Sequence, residues 1–164
     1  MSDPLGYLIT FSIFGTRLHG DERGSVDRQH NVYGEPTLGI DHKRNERAKD
    51  RMGSAEVRLT NDQQCAVEDA MKEIAARGGW ELSAISAADD HVHVVLSGEA
   101  QPQKIRALAK RWLSDFLNAR WRQDAPSGWW AEGGSCKYLW DADSLRRAVE
   151  YVAQQRCRVI RGEE

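Results

Sequence analysis

Cysteine is scarce. The 164 residues hold three, Cys65, Cys136 and Cys157, and no two stand in a CxxC pair. An odd number without that spacing argues against a disulfide framework and a thiolate zinc site, and it predicts a reducing compartment. An excess of charge of one sign is also missing: 23 Lys and Arg face 25 Asp and Glu, a formal net charge of -2. The total announces no polyanionic partner, although binding follows where charge lies rather than its sum. Long apolar runs are absent too. The stretch "YLITFSIF" near the N-terminus is short and has no basic residue before it, so it does not read as a signal peptide. Nothing approaches the length needed to cross a bilayer. There is no internal repeat and no low-complexity tract. These absences predict a soluble, cytoplasmic protein with no membrane partner.

What is present suits a packed core. Hydrophobic residues make up 40% of the chain, and the length fits one domain over 1–164 with a long polar insertion at about 16–53. That insertion is rich in Gly, Asp, Arg and Asn and contains Tyr33, His19, His30 and His42. A loop of such length is either functional or poorly ordered. Basic residues gather in two places. Lys43–Arg51 has five against two acids, and Lys104–Arg122 has six against one. The second group, Lys104, Arg106, Lys110, Arg111, Arg120 and Arg122, is a candidate DNA-binding surface; its ordinary reading is a solvated helix face.

The elements follow from periodicity. "LGYLITFSIFG" and "SAEVRLT" read as strands. "NDQQCAVEDAMKEIAARGG" reads as a helix capped by Thr60 or Asn61, with Val67, Ala70, Met71 and Ile74 on one face and Gly78–Gly79 at its end. "WELSAISA" and "HVHVVLSG" form a hairpin about Asp89 and Asp90. "PQKIRALAKRWLSDFLNARW" is a helix with Ile105, Leu108, Trp112 and Phe116 as its apolar stripe. A turn-rich strand region follows, then a helix capped by Asp141 or Asp143 with Leu145, Ala148, Val149 and Val152 inward. The order β, long loop, β, α, β, β, α, β, α predicts an α+β fold. The expected architecture is a ferredoxin-like antiparallel sheet with helices on one face, plus a C-terminal helix.

One motif asks for chemistry. In "ADDHVHVVLSG", His91 and His93 are two apart on a strand, so both imidazoles project from the same face. They can share a cation, or they can be strand histidines bonded to backbone, although four ring nitrogens would then need partners. On the last helix Tyr151 and Gln155 are four apart and share a ridge at the edge of the buried stripe. Gln155 could add a carbonyl oxygen to a metal site, and Tyr151 a phenolic oxygen beside it. Packing is the ordinary role for such a tyrosine.

"DHVHVVL" followed by a helix with "YVAQQ" resembles the HUH single-strand endonucleases. More narrowly, it resembles the single-tyrosine transposases of small insertion sequences and the REP-associated tyrosine transposases. The likeness covers roughly residues 54–156, and the long first connection departs from the plain family pattern. The resemblance implies that His91, His93 and Gln155 bind a divalent cation, Mg or Mn. Gln154 is a competing third ligand. It implies that Tyr151 attacks a phosphodiester of single-stranded, hairpin-forming DNA, leaving a 5′-phosphotyrosine and a 3′-hydroxyl. It allows a monomer using its own tyrosine or a homodimer sharing one. Two alternatives stand beside it: a domesticated DNA-binding protein of the same fold that does not cut, and a metal phosphoesterase that uses water. Tyr7, on the first strand, Tyr33, in the long loop, and Tyr138, on a strand with no amide one turn on, are weaker nucleophile candidates.

Overall fold

The computed structural model describes residues 3–15 and 56–161, with side chains on the last helix as far as Gln155. The polar insertion, with Tyr33, its histidines and Lys43–Arg51, lies outside the described residues.

Four strands form one sheet: β1 (Gly6–Ser12), β2 (Glu81–Ala87), β3 (His91–Ser97) and β4 (Ser135–Leu139), in the order β2-β3-β1-β4. Every neighbouring pair is antiparallel. The helices are α1 (Asn61–Gly78), α2 (Pro102–Trp121) and α3 (Ala142–Arg161). The first six elements run β-α-β-β-α-β, which with this strand order is the ferredoxin-like arrangement, and α3 is appended to it.

Local chemistry explains the helix limits. Thr60 and Gln63 form a capping box: Gln63 N–H donates to Thr60 Oγ1 at 3.2 Å, and Thr60 N–H donates to Gln63 Oε1 at 2.8 Å. Gly79 ends α1 in the left-handed region, φ 73°, where a side chain would be strained. Pro102 opens α2, where its missing N–H has no helical partner to lose. Asp141 accepts from Ser144 N–H at 2.7 Å ahead of α3, and this bond holds its carboxyl below the usual carboxylate range.

Two expectations need correction. Within the "SAEVRLT" stretch, the described residues 56–60 are not a strand of the sheet. Val57 and Leu59 are buried, but their N–H groups bond Phe14 O and Asp89 O, at 3.0 and 2.9 Å, instead of a continuous ladder. Its alternation reports burial, and burial alone does not make a strand. The stripe of α2 is also rotated from the expected one. Ile105, Ala109, Leu113 and Leu117 are buried, Leu108 and Trp112 only partly so, and Phe116 is 42% exposed. The large ring of Phe116 drew the reading toward it, whereas small Ala109 marks the face that approaches the sheet.

The sheet separates two cores. Tyr7, Ile9, Phe11, Ile13, Ile85, Val92, Val94 and Leu96 pack beneath α1 and α2. On the other face Leu8, Val95 and Leu139 meet Ala148 and Val152 of α3, with Leu145 and Val149 at the margin. So α1 and α2 cover one face, and the C-terminal helix covers the other.

Candidate functional site

Strand register fixes what lies beneath the second half of α3. On β3, His91, His93 and Val95 share its face. Across the ladder Ser12 pairs with His91, while Thr10 pairs with His93. Ser86 pairs with His93 from the other side, and Ser135 pairs with Thr10. One row across all four strands therefore reads Ser86, His93, Thr10, Ser135, with His91 and Ser12 in the next row outward. Side chains of one row on one face are direct neighbours.

The two imidazoles are close, with ring centroids 4.5 Å apart and planes at 69°. Each is held from behind. His91 Nδ1 lies 2.5 Å from Asp90 Oδ1, a charge-assisted bond in which the ring N–H donates to the carboxylate. His93 Nδ1 lies 2.7 Å from Thr10 Oγ1. Both Nδ1 atoms are thus engaged, and Nε2 is the nitrogen each ring would turn to a cation. The turn carrying Asp89 and Asp90 is itself pinned. Ile13 N–H donates to Asp90 O and Leu59 N–H to Asp89 O, both at 2.9 Å, and Arg58 pairs with Asp89.

From above, Tyr151 brings its ring to 5.4 Å from that of His93, edge to face at 67°. Its neighbour Val152 is fully buried and anchors the helix, while Tyr151 is 41% exposed. Gln155 follows one turn later, half-buried. The structure therefore brings His91, His93 and Tyr151 together and sets Gln155 on the same ridge as Tyr151; Gln154 is exposed. Among the described residues no three of His, Cys, Asp and Glu cluster as a metal site. Two imidazoles oriented by their Nδ1 partners suit a divalent cation, and a third protein ligand would fall to an oxygen of another kind, such as the Gln155 amide.

The basic helix is elsewhere. α2 packs on the opposite face of the sheet from the histidines. Lys104, Arg111, Arg120 and Arg122 are exposed there. Arg106 and Lys110 are half-buried and serve the fold. Arg106 donates to Cys136 Sγ at 3.2 Å, and Lys110 Nζ donates to Ala131 O and Gly133 O at 2.9 and 2.5 Å. Burial, aided by Arg106, pushes Lys110 down to about 8; burial pushes the Cys136 thiol up. A cleft of about 690 Å³ at the end of α2, lined by Ser114, Asn118, Arg122 and Trp129 among others, contains none of the histidine-site groups. The tryptophans mostly pack. Trp80 stacks on Trp112 at 5.7 Å, Trp129 is buried, and Trp130 lies edge-on to Phe11; Trp140 is exposed.

Thr10, Ser86 and Ser135 were missed by sequence reasoning. A signal exists for Thr10: with Ser12 it breaks the apolar run of β1 at alternate positions, as the histidines do in β3.

No protein-family model matches the chain, and no curated protein is significantly similar to it. Among solved structures, one described as a "putative transposase" from Deinococcus radiodurans R1 is similar at 15% identity and a TM-score of 0.48, over 94% of this chain and 93% of that one. At that depth neither fold nor chemistry rests on it. No helix among the described residues is long and apolar enough to cross a membrane.

Proposed function

We propose that the chain nicks and joins single-stranded, hairpin-forming DNA, as transposases do, with Tyr151 as nucleophile and a Mg or Mn ion as cofactor. The observation that supports this most is the seating of the Tyr151 ring against His93, in a pair of imidazoles already oriented from behind. The phenolic oxygen of Tyr151 forms a bond to phosphorus, and the bond from phosphorus to the 3′-oxygen breaks. The phenolic proton ends, through solvent, on the released 3′-hydroxyl. The 5′-phosphate stays on Tyr151, so the bond energy is kept and a 3′-hydroxyl can reverse the step without ATP.

A divalent cation held by His91, His93 and Gln155 would supply positive charge at the phosphate oxygens. The chain's own groups do the positioning. Asp90 and Thr10 hold the imidazoles. Val152 and Ala148 seat α3 on the sheet, which sets the height of Tyr151 above His93. Partial exposure of Tyr151 lets a strand reach it. Lys104, Arg111, Arg120 and Arg122 are candidates for holding a more distant part of the DNA, because they lie on the other face.

The test is incubation of hairpin oligonucleotides with the protein and Mg or Mn, followed by denaturing electrophoresis. The expected result is a covalent protein–DNA band, lost in His91→Ala and His93→Ala. Cleavage without a covalent band would replace the tyrosine with water. Binding without cleavage in either metal would leave a DNA-binding protein. A histidine variant that cuts normally in limiting metal would overturn the ligand assignment.

A further inference from the structure

The contact between Thr10 and His93 joins residues 83 positions apart and is unaccounted for by the motif itself. A threonine hydroxyl can accept from Nδ1–H or donate to a bare Nδ1. The two choices have opposite outcomes at the far side of the ring. If Thr10 accepts, Nε2 carries the lone pair. If Thr10 donates, Nε2 carries the proton and cannot bind a cation. Where the Thr10 hydroxyl sends its own proton bears directly on that choice.

The next strand offers an acceptor. Ser135, paired with Thr10 in the register of β1 and β4, is 9% exposed, and its Oγ has no hydrogen-bond partner. Among the described residues it is the buried side-chain polar atom left unsatisfied. Such groups are uncommon and call for a reason. Opposed side chains of one row are within reach of a rotamer change. When Ser135 Oγ accepts from Thr10 O–H, Thr10 Oγ1 is left to accept from His93 Nδ1–H.

We propose that Thr10 is a positioning residue that fixes His93 with its proton on Nδ1, and that Ser135 sets the direction of that bond. Donation then runs from His93 through Thr10 to Ser135, and it leaves a lone pair on His93 Nε2 for the cation. This inference rests on the metal reading of His91 and His93.

The experiment has two readouts. The His93 tautomer is read by ¹⁵N NMR of the metal-free protein, and Mn affinity by EPR titration. Wild type is expected to hold the proton on Nδ1. Thr10→Val is expected to lose that preference and to bind Mn about 10–100-fold more weakly, as removal of such partners does. Thr10→Ser restores both, which a merely structural threonine would not do through tautomer. Ser135→Ala moves both readouts in the same direction by less. Thermal unfolding confirms that each variant is folded; Thr10→Ser carries the test if Thr10→Val is not, because its tautomer and affinity must then match wild type. A wild-type His93 protonated on Nε2 overturns the proposal. So does a folded Thr10→Val that matches a wild type able to bind Mn. A wild type that binds no Mn, or a His93→Ala protein that binds it equally well, overturns the metal reading instead, while the NMR arm still decides the tautomer. A wild-type-like Ser135→Ala removes Ser135 from the line.

Discussion

The two faces of the sheet are built from the same strands and differ in what they bury. Under α1 and α2 the alternate residues Ile9, Phe11, Val92 and Val94 are apolar throughout. Under α3 the face begins the same way, with Leu8 and Val95, and then turns polar at Thr10, His93, Ser86 and Ser135. Of these, Ser135 Oγ is buried without a hydrogen-bond partner, which costs about 1–3 kcal/mol, so a face tuned only for stability would have continued in valine and leucine. One face carries the stability, and the other gives some of it up to hold four polar groups in a row. Variants on the two faces should therefore fail in different ways.

The largest effect is expected from Tyr151→Phe. It should lower adduct formation by several orders of magnitude, because the attacking oxygen is gone. Stability should stay within about 0.5 kcal/mol, since the hydroxyl is on a partly exposed ring. Gel analysis and urea unfolding check the pair of outcomes, and a persistent adduct would take the role from Tyr151; Tyr138 cannot inherit it at this site, because it pairs with Tyr7 on the opposite face of the sheet.

Leu113→Ala should do the reverse. Leu113 is fully buried in α2, and its truncation should cost about 2–5 kcal/mol. Cleavage per folded molecule should be unchanged at a temperature where the variant is native. A Leu113→Ala protein that is stable but inactive would break the division between the faces.

Lys110 gives a pH signature on the stability face. Its folded pKa, pushed down to about 8, lies below its ordinary value of 10.5. Between those values the unfolded chain binds a proton that the folded chain does not. Stability from this group is therefore lowest below about pH 8 and rises with pH through the window. The slope is at most about 1.4 kcal/mol per unit. Lys110→Met should remove that slope. Urea midpoints for both proteins from pH 7 to 10 check it through their difference, measured in a Cys136→Ala background because the thiol is coupled to Lys110.

The smallest effect concerns the exposed basic residues of α2. Each of Lys104, Arg111 and Arg120 that touches phosphate should add ~0.7 to the salt slope of single-strand binding. Reversing all three without changing binding would sharpen the comparison by taking the DNA off the exposed residues of α2, with Lys43–Arg51 the next basic group to test.

Much of this was readable from the chain, and the failures share a cause. The caps of α1, the hairpin about Asp89 and Asp90, the common face of His91 and His93, and the common ridge of Tyr151 and Gln155 are all local. They follow from residue type and from periods of 2 or 3.6. Which face of the sheet α3 covers is not local, because an apolar stripe predicts burial without naming its partner. Nor is the contact of Thr10 with His93, which depends on the register of β1 against β3. Arg106 and Lys110 looked like their exposed neighbours because charge in a sequence gives no hint of the Cys136 thiol or the Ala131 and Gly133 carbonyls that receive them.

The hydrogen bond from Val57 N–H to Phe14 O, at 3.0 Å, ties together the two ends of the segment between them. The chain leaves the sheet just after β1, and Val57 lies beside the point of departure. The junction also abuts the turn that presents His91, through Ile13 and Leu59. A protein engineer would treat this junction as a brace to leave intact, because it links the end of β1 to the turn that presents the histidines.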